Sequence, residues 1–139
     1  MNGSFTILEH PADMGIEARG ETVSQAFEQS AIGLMSIIVE LSSVSIKEEQ
    51  TIELQASDRE QLLVKWLTEI LYLYDGQQFI SKKFHIDELT DTSLHATIQG
   101  EPLRAEKHQT LLDVKAITYH QLSIEQQEHQ SIVRVFLDI

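Results

Sequence analysis

The sequence predicts an α+β fold, with two main helices packed on one side of a largely antiparallel sheet. Two observations carry that prediction. Apolar residues recur at helical spacing in two segments, both in the first half of the 139-residue chain. The second half instead alternates apolar and polar residues almost throughout, the period of a half-buried strand. Segregation of helices from strand runs is the pattern of α+β domains. The length is that of one domain, and neither linker nor repeat interrupts it, so 1–139 is read as a single domain.

Phe5 to Leu8 reads as an opening strand, followed by a turn at His10-Pro11-Ala12-Asp13. Met14, Ile16 and Ala18 then alternate with Gly15, Glu17 and Arg19, and Gly20-Glu21 closes this second strand. The first helix begins near Thr22, because Thr22 and Gln25 have capping-box spacing. Val23, Phe27, Ala31, Leu34 and Ile38 form its apolar stripe, and Ser42-Ser43 is the expected stop. Ile52, Leu54 and Ala56 suggest a strand. Ser57 and Glu60 repeat the capping-box spacing and open the second helix, whose broad apolar face runs from Leu62 to Tyr74. Asp75-Gly76 is its expected stop. Strands follow around Phe84 and Ile86, Leu94 to Ile98, Val114 to Tyr119, and Ile132 to Leu137, with a break at Gly100-Glu101-Pro102.

Composition narrows the function classes. Ten Lys and Arg against twenty-two Asp and Glu give a formal charge of −12. Affinity for nucleic acid rests largely on Lys and Arg displacing counterions, so strong autonomous binding to RNA or DNA is not expected. An acidic surface suits cations or a basic protein partner. The absence of cysteine excludes disulfides, thiolate metal sites and cysteine nucleophiles. No signal-peptide pattern opens the chain and no apolar run approaches the roughly 20 residues that span a bilayer, so a cytoplasmic protein with no membrane partner is expected. The glycines stand apart, without a phosphate-binding loop, and no nucleophile elbow occurs. No two of the six histidines share the spacing of a helical zinc pair.

Three segments remain. The turn His10-Pro11-Ala12-Asp13 places an imidazole and a carboxylate between two strands. Gly100-Glu101-Pro102 with His108 precedes Val114-Lys115-Ala116-Ile117-Thr118-Tyr119-His120, where a lysine stands in a strand of an acidic protein. The chain ends Phe136-Leu137-Asp138-Ile139, which sets a carboxylate beside the terminal one; such neighbours need a cation or donors between them, and hard cations take oxygen ligands. Taken singly, each segment also reads as an ordinary turn, an exposed strand cation and a frayed end.

Together, in this order and over essentially the whole chain, these segments resemble the archease family, and the Leu62 to Tyr74 helix looks like that family's central helix. The sequence departs from the family pattern only mildly, with Pro11 where Thr is common and Met14 where Val is common. The resemblance implies a compact sheet-and-helix domain with an inserted strand–helix–strand unit. It also implies a non-enzymatic accessory protein of the RtcB-type RNA ligase, which joins 3′-phosphate or 2′,3′-cyclic phosphate ends to 5′-hydroxyl ends. That ligase works through a guanylylated histidine with GTP and a divalent metal, and the helper promotes guanylylation and repeated turnover in tRNA splicing and RNA repair. By the same resemblance Asp13, Asp138 and a main-chain or terminal oxygen of Ile139 bind a divalent metal, calcium in isolation with manganese or magnesium as alternatives. Lys115 corresponds to a lysine needed for activation, and His10 is placed to orient Asp13. Two other readings are a small metal-dependent hydrolase using these carboxylates with His10 and His120, and a chaperone-like interaction module with a structural metal.

Overall fold

The computed structural model describes residues 3–9 and 13–139. The elements run β1 (Ser4–Glu9), β2 (Asp13–Gly20), α1 (Val23–Ile38), a 3₁₀ turn (Leu41–Ser43), β3 (Glu48–Gln55), α2 (Arg59–Gln77), β4 (Phe79–Leu89), β5 (Ser93–Pro102), β6 (Ala116–Gln126) and β7 (Ser131–Asp138). All strand pairings are antiparallel, and the fold is α+β as expected. The strands divide between two sheets, ordered β1-β2-β7-β6 and β3-β5-β4, where the sequence suggested one. Alternation shows that a strand has a buried face but not which sheet that face belongs to. The segment from β3 to β5 carries α2 and the whole second sheet, a larger insertion than the strand–helix–strand unit expected.

α1 starts where the sequence placed it: Thr22 Oγ1 accepts from the Gln25 N–H at 3.1 Å. Its predicted stripe, Val23, Phe27, Ala31, Leu34 and Ile38, is buried throughout. It ends at Ile38 rather than at Ser42, because Val39 turns extended and forms a bridge with Thr110. The N–H groups of Leu111 and Leu112 then satisfy the carbonyls of Ile38 and Ile37, at 2.8 and 3.1 Å. A Cβ on Gly33 would lie 3.0 Å from Ile16 Cγ2, so the later turns of α1 lie over the middle of β2. α1 therefore runs back along β2, and its C-terminal end returns to the end where Asp13 opens that strand.

The N-cap of α2 is Asp58, one residue later than expected; its Oδ1 accepts from the Gln61 N–H at 2.8 Å. The predicted cap, Ser57, instead donates its N–H to Gln61 Oε1 at 2.8 Å. Asp75-Gly76 does not end the helix. Gln78 does, by taking a left-handed conformation (φ 54°) in which its N–H caps the Leu73 and Tyr74 carbonyls. Trp66, fully buried, donates its indole N–H to the Phe27 carbonyl at 2.9 Å and meets the Phe84 ring edge-on at 6.0 Å, which fixes α2 against α1 and β4. One contiguous core includes Ile16 and Val135 of the first sheet and Ile98 and Ile80 of the second.

Gly100-Glu101-Pro102 does not break the chain; it completes β5. Gly100 faces Glu48 on one side and Ser81 on the other, and a Cβ there would lie 1.8 Å from the Ile80 carbonyl oxygen. Only glycine lets these three strands approach so closely. Among the described residues no helix is long and apolar enough to cross a membrane.

A carboxylate pair at one end of the fold

Antiparallel pairing of β2 with β7 sets Asp13 directly opposite Asp138. Residues so paired carry their side chains on the same face of the sheet, with Cα atoms about 4.5–5.5 Å apart. That face is the one turned away from the core, since Ile16, Ala18, Val133, Val135 and Leu137 occupy the other and are buried. Like charges directly opposite are destabilising unless something lies between them. Asp13 is half-buried, and its Oδ1 is shielded from solvent without a hydrogen-bond partner among the described residues. A buried acceptor left unmade costs about 1–3 kcal/mol, more when charged, so this oxygen calls for a cation or a donor.

The next row on the same face is Gly15 opposite Phe136. A Cβ on Gly15 would lie 2.7 Å from Phe136 Cε1, so the ring lies across the glycine and is itself 3% exposed. The His120 ring meets Phe136 edge-on at 6.2 Å. It comes from a break in register where β6 spends Tyr119 to Leu122 opposite a single residue of β7. Gln121, at φ 54°, turns the chain within this bulge. Thr118 Oγ1 holds its base, donating to the Phe136 carbonyl at 3.1 Å and accepting from the His120 N–H at 3.3 Å. In the row beyond, Glu17 is clasped by Arg134 and Arg19; the Arg134 guanidinium is the main cause of its lowered pKa.

Lys115 is exposed, and its main-chain N–H donates to the Asp138 carbonyl at 2.8 Å. That bond fixes the last residues of β7 beside the carboxylate pair. Ile139 follows and is 39% exposed. The structure therefore brings together Asp13, Asp138, Ile139 and the Lys115 main chain. His10 lies outside the described residues. Among the described residues no three His, Asp or Glu side chains gather as a metal cage. The donor set here is instead two carboxylates with the main chain of Ile139 beside them, one carboxylate oxygen unpartnered among the described residues, which fits a hard divalent cation that takes its remaining ligands from water or a partner.

A second network was not legible in the sequence. Glu101, 1% exposed, accepts at Oε2 from the Ser45 N–H (2.7 Å), Lys107 Nζ (2.7 Å) and His108 Nε2 (3.0 Å). The Arg104 N–H donates to His108 Nδ1 at 3.0 Å, which makes Nδ1 the acceptor and Nε2 the protonated nitrogen of a neutral ring. The Lys107 hydrogen bond comes first among the causes that lower the Glu101 pKa to about 2. The only signal in sequence is the spacing of Glu101 from Lys107-His108. The network clamps the loop after β5, which goes on to cap α1 through Leu111 and Leu112 and to reach Lys115. On the second sheet His85 is an exposed and His95 a half-buried strand residue, each 3.3 Å from Asp87.

Two antiparallel sheets and two helices, with two carboxylates in register at one end, define an α+β domain. The chain matches the Archease protein family (MTH1598/TM1083) over residues 5–139. It is 34% identical over 139 residues to the protein archease of Methanosarcina mazei, covering 97% of this chain and 95% of that one. The solution structure of Protein 1598 from Methanobacterium thermoautotrophicum superposes with a TM-score of 0.82 at 33% identity, over 97% of this chain and 98% of the other. A crystal structure from Thermotoga maritima, described as an archease and possible chaperone, shares the fold with a TM-score of 0.67 at 19% identity, over 95% and 94% of the two chains. The protein belongs to the archease family.

Proposed function

We propose that this protein is an accessory activator of an RtcB-type 3′-phosphate RNA ligase in tRNA splicing and RNA repair, promoting ligase guanylylation and multiple turnover. The observation that carries the reading is Asp13 directly opposite Asp138, with its Oδ1 unpartnered among the described residues. Asp13, Asp138 and an oxygen of Ile139 are the residues that would hold a divalent ion, calcium in isolation with manganese or magnesium as alternatives. Bound there, the ion would neutralise phosphate charge as a Lewis acid. The chain's own part is positional. Register fixes the two carboxylates on one face, and the Lys115 N–H fixes the Asp138 carbonyl. The Lys115 ammonium makes no ion pair with the described residues and is the group offered to a nucleotide phosphate. An excess of twelve negative charges suits a basic, RNA-binding mouth better than RNA itself.

The test is multiple-turnover ligation by the cognate ligase, with 3′-phosphate and 5′-hydroxyl ends, GTP and manganese. Substoichiometric protein should raise turnover, and Asp13→Asn should abolish the effect while leaving thermal unfolding intact. Full activation by both Asp13→Asn and Asp138→Asn would sink the site. The family likeness also admits a chaperone-like module with a structural metal. That reading requires a large fall in melting temperature on adding EDTA, with activation following foldedness alone.

A further inference from the structure

Exposed apolar side chains lie toward the end of the fold that carries the carboxylate pair. Large apolar side chains more than a third exposed, among the described residues, are Ile46, Tyr72, Leu111, Leu112, Tyr119 and Ile139. Four of these lie on segments tied to the pair. Ile139 follows Asp138. Leu111 and Leu112 donate their N–H groups to the end of α1, which lies at the Asp13 end of β2. Tyr119 opens the β6 bulge, three residues beyond Ala116, which pairs with Asp138, and so about 10 Å along the strand from it. The hydrogen bonds of Thr118 and the left-handed turn at Gln121 set the bulge before any partner arrives. Leu111 and Leu112 are likewise held by their main chain, so docking would order little further backbone.

The charge at this end is mainly negative. Leu111 and Leu112 line a concavity of about 190 Å³ with Tyr74, Thr110 and Asp113. Asp75 of α2 stands near enough to Asp113 for that carboxylate to raise its pKa, after burial, which is the larger cause. With Asp13 and Asp138, these carboxylates give the end a mainly acidic character, with Lys115 beside Asp138. An acidic centre flanked by preset apolar side chains fits a protein partner whose cleft is basic and whose rim is apolar; exposed Tyr is among the residue types that dominate binding energy in such surfaces.

We propose that Leu111, Leu112 and Tyr119 are the apolar anchors by which a protein with a basic cleft docks over the Asp13–Asp138 end. Taking that partner to be the RNA ligase rests on the function proposed above. Docking and activation then separate. Truncating an anchor weakens association without touching the carboxylates, whereas Asp13→Asn removes the effect of a complex that still forms.

The experiment measures ligation rate against concentration of this protein for the wild type, Leu111→Ser/Leu112→Ser, Tyr119→Ala, Asp13→Asn and Glu53→Lys, an acidic control on the second sheet. Direct binding to the purified ligase is measured by calorimetry alongside. Because the anchor side chains are exposed, circular dichroism and melting should match the wild type. The expected result is a half-saturating concentration and Kd raised about tenfold or more for the two anchor variants, with maximal stimulation kept at saturation. Asp13→Asn should bind normally and stimulate little, and Glu53→Lys should behave as wild type. Unchanged Kd and half-saturation in both anchor variants, with the wild type active, would overturn the docking surface and leave the functional reading standing. A wild-type protein that neither binds nor stimulates the ligase would overturn both.

Discussion

Replacing Glu101 with Gln removes a charge from the most enclosed acidic group described and leaves its shape. The wild-type carboxylate accepts three hydrogen bonds at one oxygen, from Ser45, Lys107 and His108. Hydrogen bonds to a charged partner are worth about 1.5–3 kcal/mol and neutral ones about 0.5–1.5, so each bond loses about 1 kcal/mol when the acceptor becomes an amide. The Lys107 ammonium is about one-third exposed and recovers part of its share by turning to water. The expected cost is therefore about 2 kcal/mol, read as a lower urea midpoint at pH 7.

The pH dependence gives a sharper check. The folded-state pKa of Glu101 is lowered from 4.5 to about 2, first by the Lys107 hydrogen bond and next by that of the Ser45 N–H. A depressed carboxylate contributes stability that is fully present above its unfolded pKa and is lost as pH falls through the folded one. The gap between wild type and Glu101→Gln should thus be constant above pH 5 and narrow steadily between about pH 4.5 and pH 2. Urea titrations at pH 7, 5, 3.5 and 2.5 would measure it. A gap below about 0.5 kcal/mol at pH 7, or one that stays the same down to pH 2.5, would refute the reasoning, because either result means the carboxylate is not charged in this network.

Two further substitutions test local geometry. Gly15→Ala would put a methyl group 2.7 Å from Phe136 Cε1 and 3.1 Å from Leu8 Cβ, so the ring must move; a loss of about 1–2 kcal/mol is expected in thermal or urea unfolding, and an unchanged midpoint would show that Phe136 does not lie across the strand. Gln78→Gly, at the left-handed cap of α2 (φ 54°), should stabilise by about 0.5–1 kcal/mol and raise the melting temperature by a few degrees; destabilisation would mean that the Gln78 side chain has a role its cap geometry does not reveal.

Legibility in the sequence followed the range of the interaction. The α1 cap at Thr22 was readable because cap and partner are three residues apart, and the α1 stripe because helical spacing repeats along the chain. The end of α1 was not, since Val39 leaves the helix to pair with Thr110, and the free carbonyls are satisfied by Leu111 and Leu112. Nothing near Ser42 announces a partner some seventy residues away. The α2 stop failed for a different reason: Gly76 is a helix breaker by propensity, yet it stays helical with Tyr72 packed over it, and Gln78 takes the left-handed cap instead. Glu101 and His108 appeared in the family pattern as a loop signature with no role attached; their burial depends on Ser45 and Lys107 converging from two loops.

The site shows the same division. Resemblance could name Asp13 and Asp138 as ligands, but their being opposite one another is a matter of register, and register is a property of two strands. Slipping β7 by one residue would place Leu137 opposite Asp13 and send Asp138 to the core face. The core-facing pairs of that ladder, among them Met14–Leu137, Ile16–Val135 and Ala18–Val133, would be turned out with it. The core therefore enforces the geometry of the acidic pair. The hydrophobic residues of β2 and β7 hold two like charges side by side because losing their own burial would cost several kcal/mol, more than the roughly 1 kcal/mol of a cross-strand repulsion. A fold that keeps an orphaned carboxylate oxygen by this means, at the end where the loop clamped by Glu101 also delivers Lys115, has the stability of its core set against a local penalty. On the function proposed above, binding of a cation or a partner there would relieve it.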